Sequence, residues 1–366
     1  MRVAIVHDWL NQKVGGAESV LFRLAQMYPD ADIYTLVYNH KKFDKYLTGR
    51  NITTSRLQNF PGLIKSRPRL LLPFIKGAIN KWEFSNYDLV ITSSSAWVKN
   101  INVPKETKHI CYCYSPARML WDSWPRYVMK QKLGPITKFY IVKLASSLRL
   151  WDYYQSQNDI KFIAISNHVK SRIAKFYHRE SVVIYPPVEL ANFKSEPLPK
   201  KDFYLIVSIL AQYKNIELAI EAFRSSGKKL VIAGDGPDMQ RLQSVAKGAS
   251  NITFLGRVDE VKKIELMASA KGFIFCNIED FGITMVESIA SGTGVIALQG
   301  GGANEIIKQN STGVFFIKPD EESLNKAIID FEKTILSGKH FNNQYIFDKF
   351  SVDKFERDFR KVANAK

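Results

Sequence analysis

The chain has 366 residues, 46% hydrophobic and 24% charged, with 52 basic against 35 acidic side chains and a formal charge of +17. That length is enough for two domains of ordinary size, and the composition is that of a globular protein. The charge excess favours anionic partners, whether nucleic acid, an acidic membrane or phosphorylated substrates.

Taken in chain order, the first predicted strand is VAIV, residues 3–6, and the turn GGAES (15–19) leads from it into a helical run ending at Tyr28. The start MRVAIVHDWL is too short an apolar run for a signal peptide, and no stretch reaches the roughly 18 to 20 apolar residues of a transmembrane helix. Further strands are expected at 31–38, 87–94, 109–115, 162–166 and 182–187. The segment 62–82 interleaves Lys65, Arg67, Arg69, Lys76 and Lys81 with Leu63, Ile64, Leu70, Leu71, Leu72, Phe74 and Ile75. It reads either as an element lying on anionic lipid or as a helix hairpin whose apolar face packs inward while its charges face water. Cys111, Cys113 and Cys276 supply no disulfide framework and no zinc site, so they read as buried thiols of a reducing compartment.

The stretch 185–202 holds four prolines and a mixed charge cluster, as a linker should. Strands are then expected at 203–209, 229–236, 252–256, 272–277 and 294–298, with helical runs such as NIELAIEAF and DEVKKIELMASA between them. This alternation predicts βαβ units on parallel sheets. The expected fold class is α/β, with two Rossmann-like domains facing each other across a cleft.

The densest group of polar parts is EDFGITMVES, residues 279–288. In an α/β sheet, ligands sit beyond the carboxyl ends of the strands, where a glycine turn opens a helix. The free N–H groups of such a helix end hold anions, and the carboxylates of Glu279 and Glu287 can bind sugar hydroxyls. The plainer alternative is a surface loop with two solvated acids. At GGAES, Gly15 and Gly16 either let backbone approach a phosphate or form a simple tight turn. The dinucleotide pattern G-x-G-x-x-G is absent, which disfavours a nicotinamide enzyme. His-x-x-His and Asp-x-Asp metal patterns are absent too.

EDFGITMVES resembles the paired-glutamate signature of retaining glycosyltransferases of the GT-B architecture, in particular glycosyltransferase family 4. VSILAQYKNIELAIEAF (207–223), CYCYSPARMLWD (111–122), FIAISNHVKSRIAKFYHRESVVIYPPVEL (162–190) and GGGANEIIK (300–308) extend the likeness over almost the whole chain. The resemblance implies domains at 1–188 and 189–349, with a final helix, 350–366, crossing back onto the first. It implies that Glu279 and the N–H groups of Phe281, Gly282 and Ile283 hold the donor sugar, and that Glu287 binds the ribose hydroxyls. Lys214 would stabilise the departing diphosphate, with Gly15, Gly16 and the helix they open touching the donor phosphate. Tyr114 stands where the family usually has a histidine near the reacting carbon, and Ile209 where many relatives have an arginine. Arg118 and Asp122 either reach the acceptor or pair to hold a loop.

Within the family, HDWL…GGAE, SPARMLWD and IYPPVE look most like bacterial mannosyltransferases of surface-polysaccharide assembly. The implied activity is retaining transfer of a hexose, first mannose from GDP-mannose, to a hydroxyl of a lipid-linked glycan. No metal or other cofactor is implied. The expected location is cytoplasmic, peripheral on the inner face of the plasma membrane through 62–82. Tyr114 and Ile209 motivate a second reading, a non-catalytic GT-B subunit that positions a partner enzyme. A third, a basic nucleic-acid-binding protein, has only the charge behind it, since no helix-turn-helix, RNA-recognition or zinc module is legible.

Overall fold

The structure is a computed structural model that describes residues 1–11, 14–65, 68–122, 134–193, 199–334 and 341–365, without the side chains of 63, 64, 68, 69 and 135–138. Of the basic segment, Arg67 and the side chains of Leu63, Ile64 and Arg69 lie outside the described residues, as do 194–198 of the linker and Lys366. The chain divides into two units, Met1–Pro186 with Asp358–Lys366, and Pro187–Arg357. The boundary thus falls two residues ahead of the expected one, and the return to the first unit begins at Asp358 rather than at 350.

Seven parallel strands build unit 1: β1 (Val3–His7), β2 (Asp32–Thr35), β3 (Ile52–Thr54), β4 (Leu89–Ser94), β5 (Lys108–Cys113), β6 (Lys161–Ala164) and β7 (Ser181–Val183). Their order is β3-β2-β1-β4-β5-β6-β7. β1 and β4 are buried along their whole length, which is why they read as continuous apolar runs. Unit 2 repeats the plan with β8 (Tyr204–Val207), β9 (Leu230–Ala233), β10 (Ile252–Gly256), β11 (Gly272–Phe275), β12 (Val295–Leu298) and β13 (Gly313–Phe316), ordered β10-β9-β8-β11-β12-β13. In each sheet the winding reverses once, between β1 and β4 and between β8 and β11. A crevice opens at the carboxyl ends of such a strand pair, and that is where α/β sheets bind ligands.

The helices of eight residues or more among the described residues are α1 (Gly16–Met27), α2 (Pro135–Ser156), α3 (Asn167–Tyr177), α4 (Ile216–Ser226), α5 (Glu260–Ser269), α6 (Ile283–Ala290), α7 (Glu321–Thr334) and α8 (Val352–Asn364). α4 shows the logic of their placement. Ile216, Ala219, Ile220 and Phe223 recur at helical spacing and enter the unit 2 core beside Ile206, Ile232 and Phe331. Gly227, at φ 67°, then ends the helix in the left-handed conformation that a side chain disfavours.

In unit 1 two polar devices fix the carboxyl end of the sheet. Asp8, just past β1, is buried; its Oδ1 accepts from the N–H groups of Trp97 and Val98 at 2.9 and 3.0 Å, and its Oδ2 from Ser95 and Ala96 at 2.6 and 3.0 Å. The turn after β4 is thereby tied to the end of β1. Deeper in, Asp152 of α2 pairs with the buried Lys99 and accepts from Asn100 Nδ2, Trp121 Nε1 and Tyr177 Oη at 2.9, 2.8 and 2.8 Å. The returning C-terminal residues settle on β5, where Lys108 Nζ donates to the carbonyls of Val362 and Ala363 at 3.2 and 2.8 Å.

Segment 62–82 takes the packed form of its two readings, though not as a helix hairpin. A 3-10 turn over Pro68–Phe74 runs into a short helix, Ile75–Ile79. Leu71, Ile75, Ala78, Ile79 and Trp82 enter the core beside Trp97 and Trp151, while Leu70, Phe74, Lys76 and Lys81 stay exposed. All three cysteines are buried free thiols, and burial pushes that of Cys276 up to about 12.

Candidate active site

In unit 2 the predicted residues gather around the β8–β11 reversal. β8 ends at Val207, and a short turn, Gln212–Lys214, brings Lys214 to the start of α4. β11 ends at Phe275, and the loop beyond it carries Asn277 and Glu279. Lys214 Nζ pairs directly with Glu279 Oε1, which also accepts from Asn277 Nδ2 at 3.2 Å. Both side chains are mostly covered, at 15% and 22% exposure. A lysine and a glutamate 65 residues apart in sequence therefore share one contact at the sheet's carboxyl edge.

The loop then turns at Gly282, whose φ of 105° suits only glycine, and opens α6. Phe281 is buried and packs edge-on against Phe350, 5.5 Å between ring centroids. Ile283 is the first residue of α6 and is half-buried. The second glycine run lies directly behind this loop. Gly302 N donates to the Glu279 carbonyl at 2.9 Å, and a Cβ would fall 2.1 Å from that oxygen at Gly301 and 2.0 Å from the Phe281 carbonyl at Gly302. The run is glycine because backbone packs on backbone there. The same holds at GDGPD, where a Cβ on Gly234 would sit 1.8 Å from the Ser208 carbonyl.

Glu287, on α6, is nearly sealed from solvent. Its Oε1 accepts from Lys263 Nζ of α5 at 2.8 Å, while Oε2 is buried without a hydrogen-bond partner. Lys263 also meets Glu260 at 2.7 Å. Burial raises the Glu287 carboxyl above its usual range, against the opposing pull of Lys263. For Lys263, burial works against the charge, yet two carboxylates outweigh it and its value rises as well. The shared ammonium does not fully compensate the buried carboxylate.

A raised folded value means that stability is complete below the unfolded carboxyl range and is lost as pH climbs through the folded value. Glu287→Gln is therefore expected to melt higher than wild type near neutrality. The gap should widen as pH climbs above the ordinary carboxyl range, in thermal melts. A variant that melts lower at pH 8 would show that the Lys263 pair outweighs burial.

In unit 1, Gly15 caps α1 in an extended conformation, and its N–H donates to Glu18 Oε2 at 2.8 Å. The expected phosphate-binding turn thus carries its own acid in the first turn of the helix, while Gly15 and Gly16 remain exposed. Burial would raise the Glu18 carboxyl, but the bond and charge of His7 and two backbone N–H groups lower it overall. His7 Nδ1 lies 2.9 Å from Ser93 Oγ, which is 2.8 Å from Tyr114 Oη. Tyr114 Oη donates to the Ala17 carbonyl at 2.9 Å, and burial raises its phenol well above the ordinary range. The Tyr114 hydroxyl is thus engaged within the fold. Arg118 opens a short helix, Arg118–Trp121, and Asp122 pairs with Arg172 of α3.

Sequence reasoning missed Lys263, Asn277 and the His7–Ser93 contact. Lys263 and His7 are joined to their partners only by tertiary packing, so their spacing carried no signal. Asn277 stands two residues before Glu279 in the same loop, and its amide was the one signal within local reach.

Residues 188–344 match the family model described as glycosyl transferases group 1. A Methanocaldococcus jannaschii protein described as an uncharacterized glycosyltransferase is 25% identical over 232 residues, 61% of this chain, which spans 64% of that relative's length. The alpha-1,3/1,6-mannosyltransferase ALG2 of Dictyostelium discoideum is 23% identical over 99% of this chain and 98% of its own. Anabaena HepE, solved in complex with UDP, superposes with a TM-score of 0.72 at 16% identity over 99% of both chains. Residues 188–344, most of unit 2, thus match the glycosyl transferases group 1, and the chain as a whole has the GT-B fold of its solved neighbours, the fold that its resemblance to family 4 implied.

Proposed function

We propose that the chain is a retaining hexosyltransferase of family 4. It moves a hexose, first mannose from GDP-mannose, onto a hydroxyl of a lipid-linked glycan in surface-polysaccharide assembly. The observation that carries this reading is the Lys214–Glu279 contact at the carboxyl ends of β8 and β11. Before donor binds, each charge neutralises the other. A nucleoside diphosphate draws Lys214 onto its phosphates and releases Glu279 to the sugar hydroxyls. Charge building on the leaving phosphate is then met by the lysine and by the start of α6 near Phe281, Gly282 and Ile283. Glu287 offers its unpartnered Oε2 to the ribose hydroxyls.

The acceptor oxygen forms its bond to the anomeric carbon as the carbon–phosphate-oxygen bond breaks on the same face. The leaving phosphate takes the acceptor's proton, so neither a separate base nor a metal is required. The chain works in the cytoplasm at the inner membrane face; Lys76, Lys81, Leu70 and Phe74 of 62–82 remain exposed.

The internal bonds of Tyr114 favour a second reading, the non-catalytic GT-B subunit, because the hydroxyl at the family's histidine position is already committed. A thermal-shift panel with GDP, UDP, dTDP and ADP separates the two readings. Saturation at a hundred times Kd adds about 2.7 kcal/mol. One nucleotide should raise Tm, and Lys214→Ala should abolish that rise. No rise with any nucleotide would transfer the assignment to the non-catalytic subunit.

A further inference from the structure

The exposed apolar side chains of this protein are unevenly placed. On α2, Phe139 is 66% exposed, Tyr140 70%, Leu150 59% and Tyr154 66%. At 3.6 residues per turn these four, with the exposed Lys143 and Ser147, fall within about 100° of one helix face. The opposite face buries Ala145, Leu148, Trp151 and Asp152. α2 therefore has two apolar faces, one spent on the core and one turned outward. Its sole acid, Asp152, is on the inner face, held by Lys99.

Charge is segregated between the two units. Unit 1 holds 31 of the 52 basic residues and 13 of the 35 acidic ones, whereas unit 2 is close to balance with 21 and 22. The excess that makes the whole chain basic thus belongs to the unit that carries the outward stripe.

We propose that the outward face of α2 docks unit 1 on an anionic phospholipid bilayer. This deepens the reading of a lipid-linked acceptor, on which it rests, and moves the principal contact from 62–82 to α2. Tyr settles at the level of lipid headgroups, Phe and Leu enter the boundary just beneath it, and an amphipathic helix lies in that plane without crossing it. No helix among the described residues is long and apolar enough to cross. The stripe from Phe139 to Tyr154 is about 22 Å long and about one helix diameter wide. That is on the order of 200 Å², well short of the roughly 800 Å² per partner of a stable protein interface. A fluid lipid surface needs no such area, and the net positive charge of unit 1 supplies the rest of the attraction.

The test is cosedimentation of the full chain with vesicles of phosphatidylcholine alone and of three parts phosphatidylcholine to one part phosphatidylglycerol. The wild type should bind the anionic vesicles and prefer them to the neutral ones. Phe139→Ser/Tyr140→Ser/Leu150→Ser/Tyr154→Ser should lower its partition by about tenfold or more. The milder Phe139→Ser/Tyr140→Ser should show a smaller loss in the same direction, and Leu70→Ser/Phe74→Ser should change little. Wild-type melting temperature in each variant confirms that the fold survives. Wild-type failure to bind, or unchanged binding by the fourfold variant, overturns the proposal. So does a wild-type dimer, seen by sedimentation velocity, that the variant dissociates, since the face would then belong to a second copy. Nucleotide thermal shifts, measured without lipid, stand or fall separately and report on the glycosyltransferase reading alone.

Discussion

Glu279→Gln is expected to lower kcat by about a hundredfold to a thousandfold while leaving free nucleoside diphosphate bound as tightly as before, or more tightly. The reason is the pairing of Lys214 with Glu279 in the unliganded protein. The carboxylate competes with diphosphate for the ammonium, so the neutral amide removes a competitor and at the same time replaces one of the two charged oxygens that accept from the sugar hydroxyls with an N–H donor. Lys214→Ala should behave in the opposite sense, weakening the diphosphate and lowering kcat together. Isothermal titration with the nucleoside diphosphate, beside steady-state rates, reads both quantities. Unchanged kcat in Glu279→Gln, or diphosphate affinity falling in both variants, would remove the assigned division of labour.

Asp152→Ala should destabilise unit 1 by about 3–5 kcal/mol, because it strands the Lys99 ammonium at 1% exposure with its carboxylate gone. Three further donors, from Asn100, Trp121 and Tyr177, lose their acceptor in the same step. With Tm moving about 2–4 °C per kcal/mol in chains of this order of size, the fall is about 6–20 °C. Asp152→Leu/Lys99→Met, which removes both charges, should melt above either single variant, since an unpaired buried ion costs more than a lost pair. A double variant that melts lower than both singles would show that the pair, rather than relief from burial, sets the stability. Paired thermal melts decide between these outcomes.

Much of the fold was legible because its strands are short apolar runs closed by glycine, proline or polar turns. The two strands that escaped notice, Ile52–Thr54 and Gly313–Phe316, sit at sheet edges. Ile52–Thr54 is half-buried along its length, so its residues carry no buried-strand signature. The helix Pro135–Ser156 escaped for a different reason. Phe139, Tyr140, Leu150 and Tyr154 point outward, and apolar residues on both faces blur the 3.6-residue period that marks a one-sided helix. The feature that hid the helix is the one that gives it a surface to offer.

By itself the sequence determined the βα rhythm, the glycine loops and the position of Glu279, Gly282 and Glu287 around the start of α6. Those features depend on backbone preferences and on periodicity acting across a few residues. The tertiary structure alone decided the partner of each charged group: Glu279 for Lys214, Lys263 for Glu287, Arg172 for Asp122. It also decided that the apolar side of 62–82 turns inward and that the Tyr114 hydroxyl is taken up by Ser93 and Ala17. The Lys214–Glu279 contact is set by strand order across the β8–β11 reversal, and the others by the packing of helices and loops onto their sheets; both bring together residues dozens of positions apart and leave no trace in local spacing.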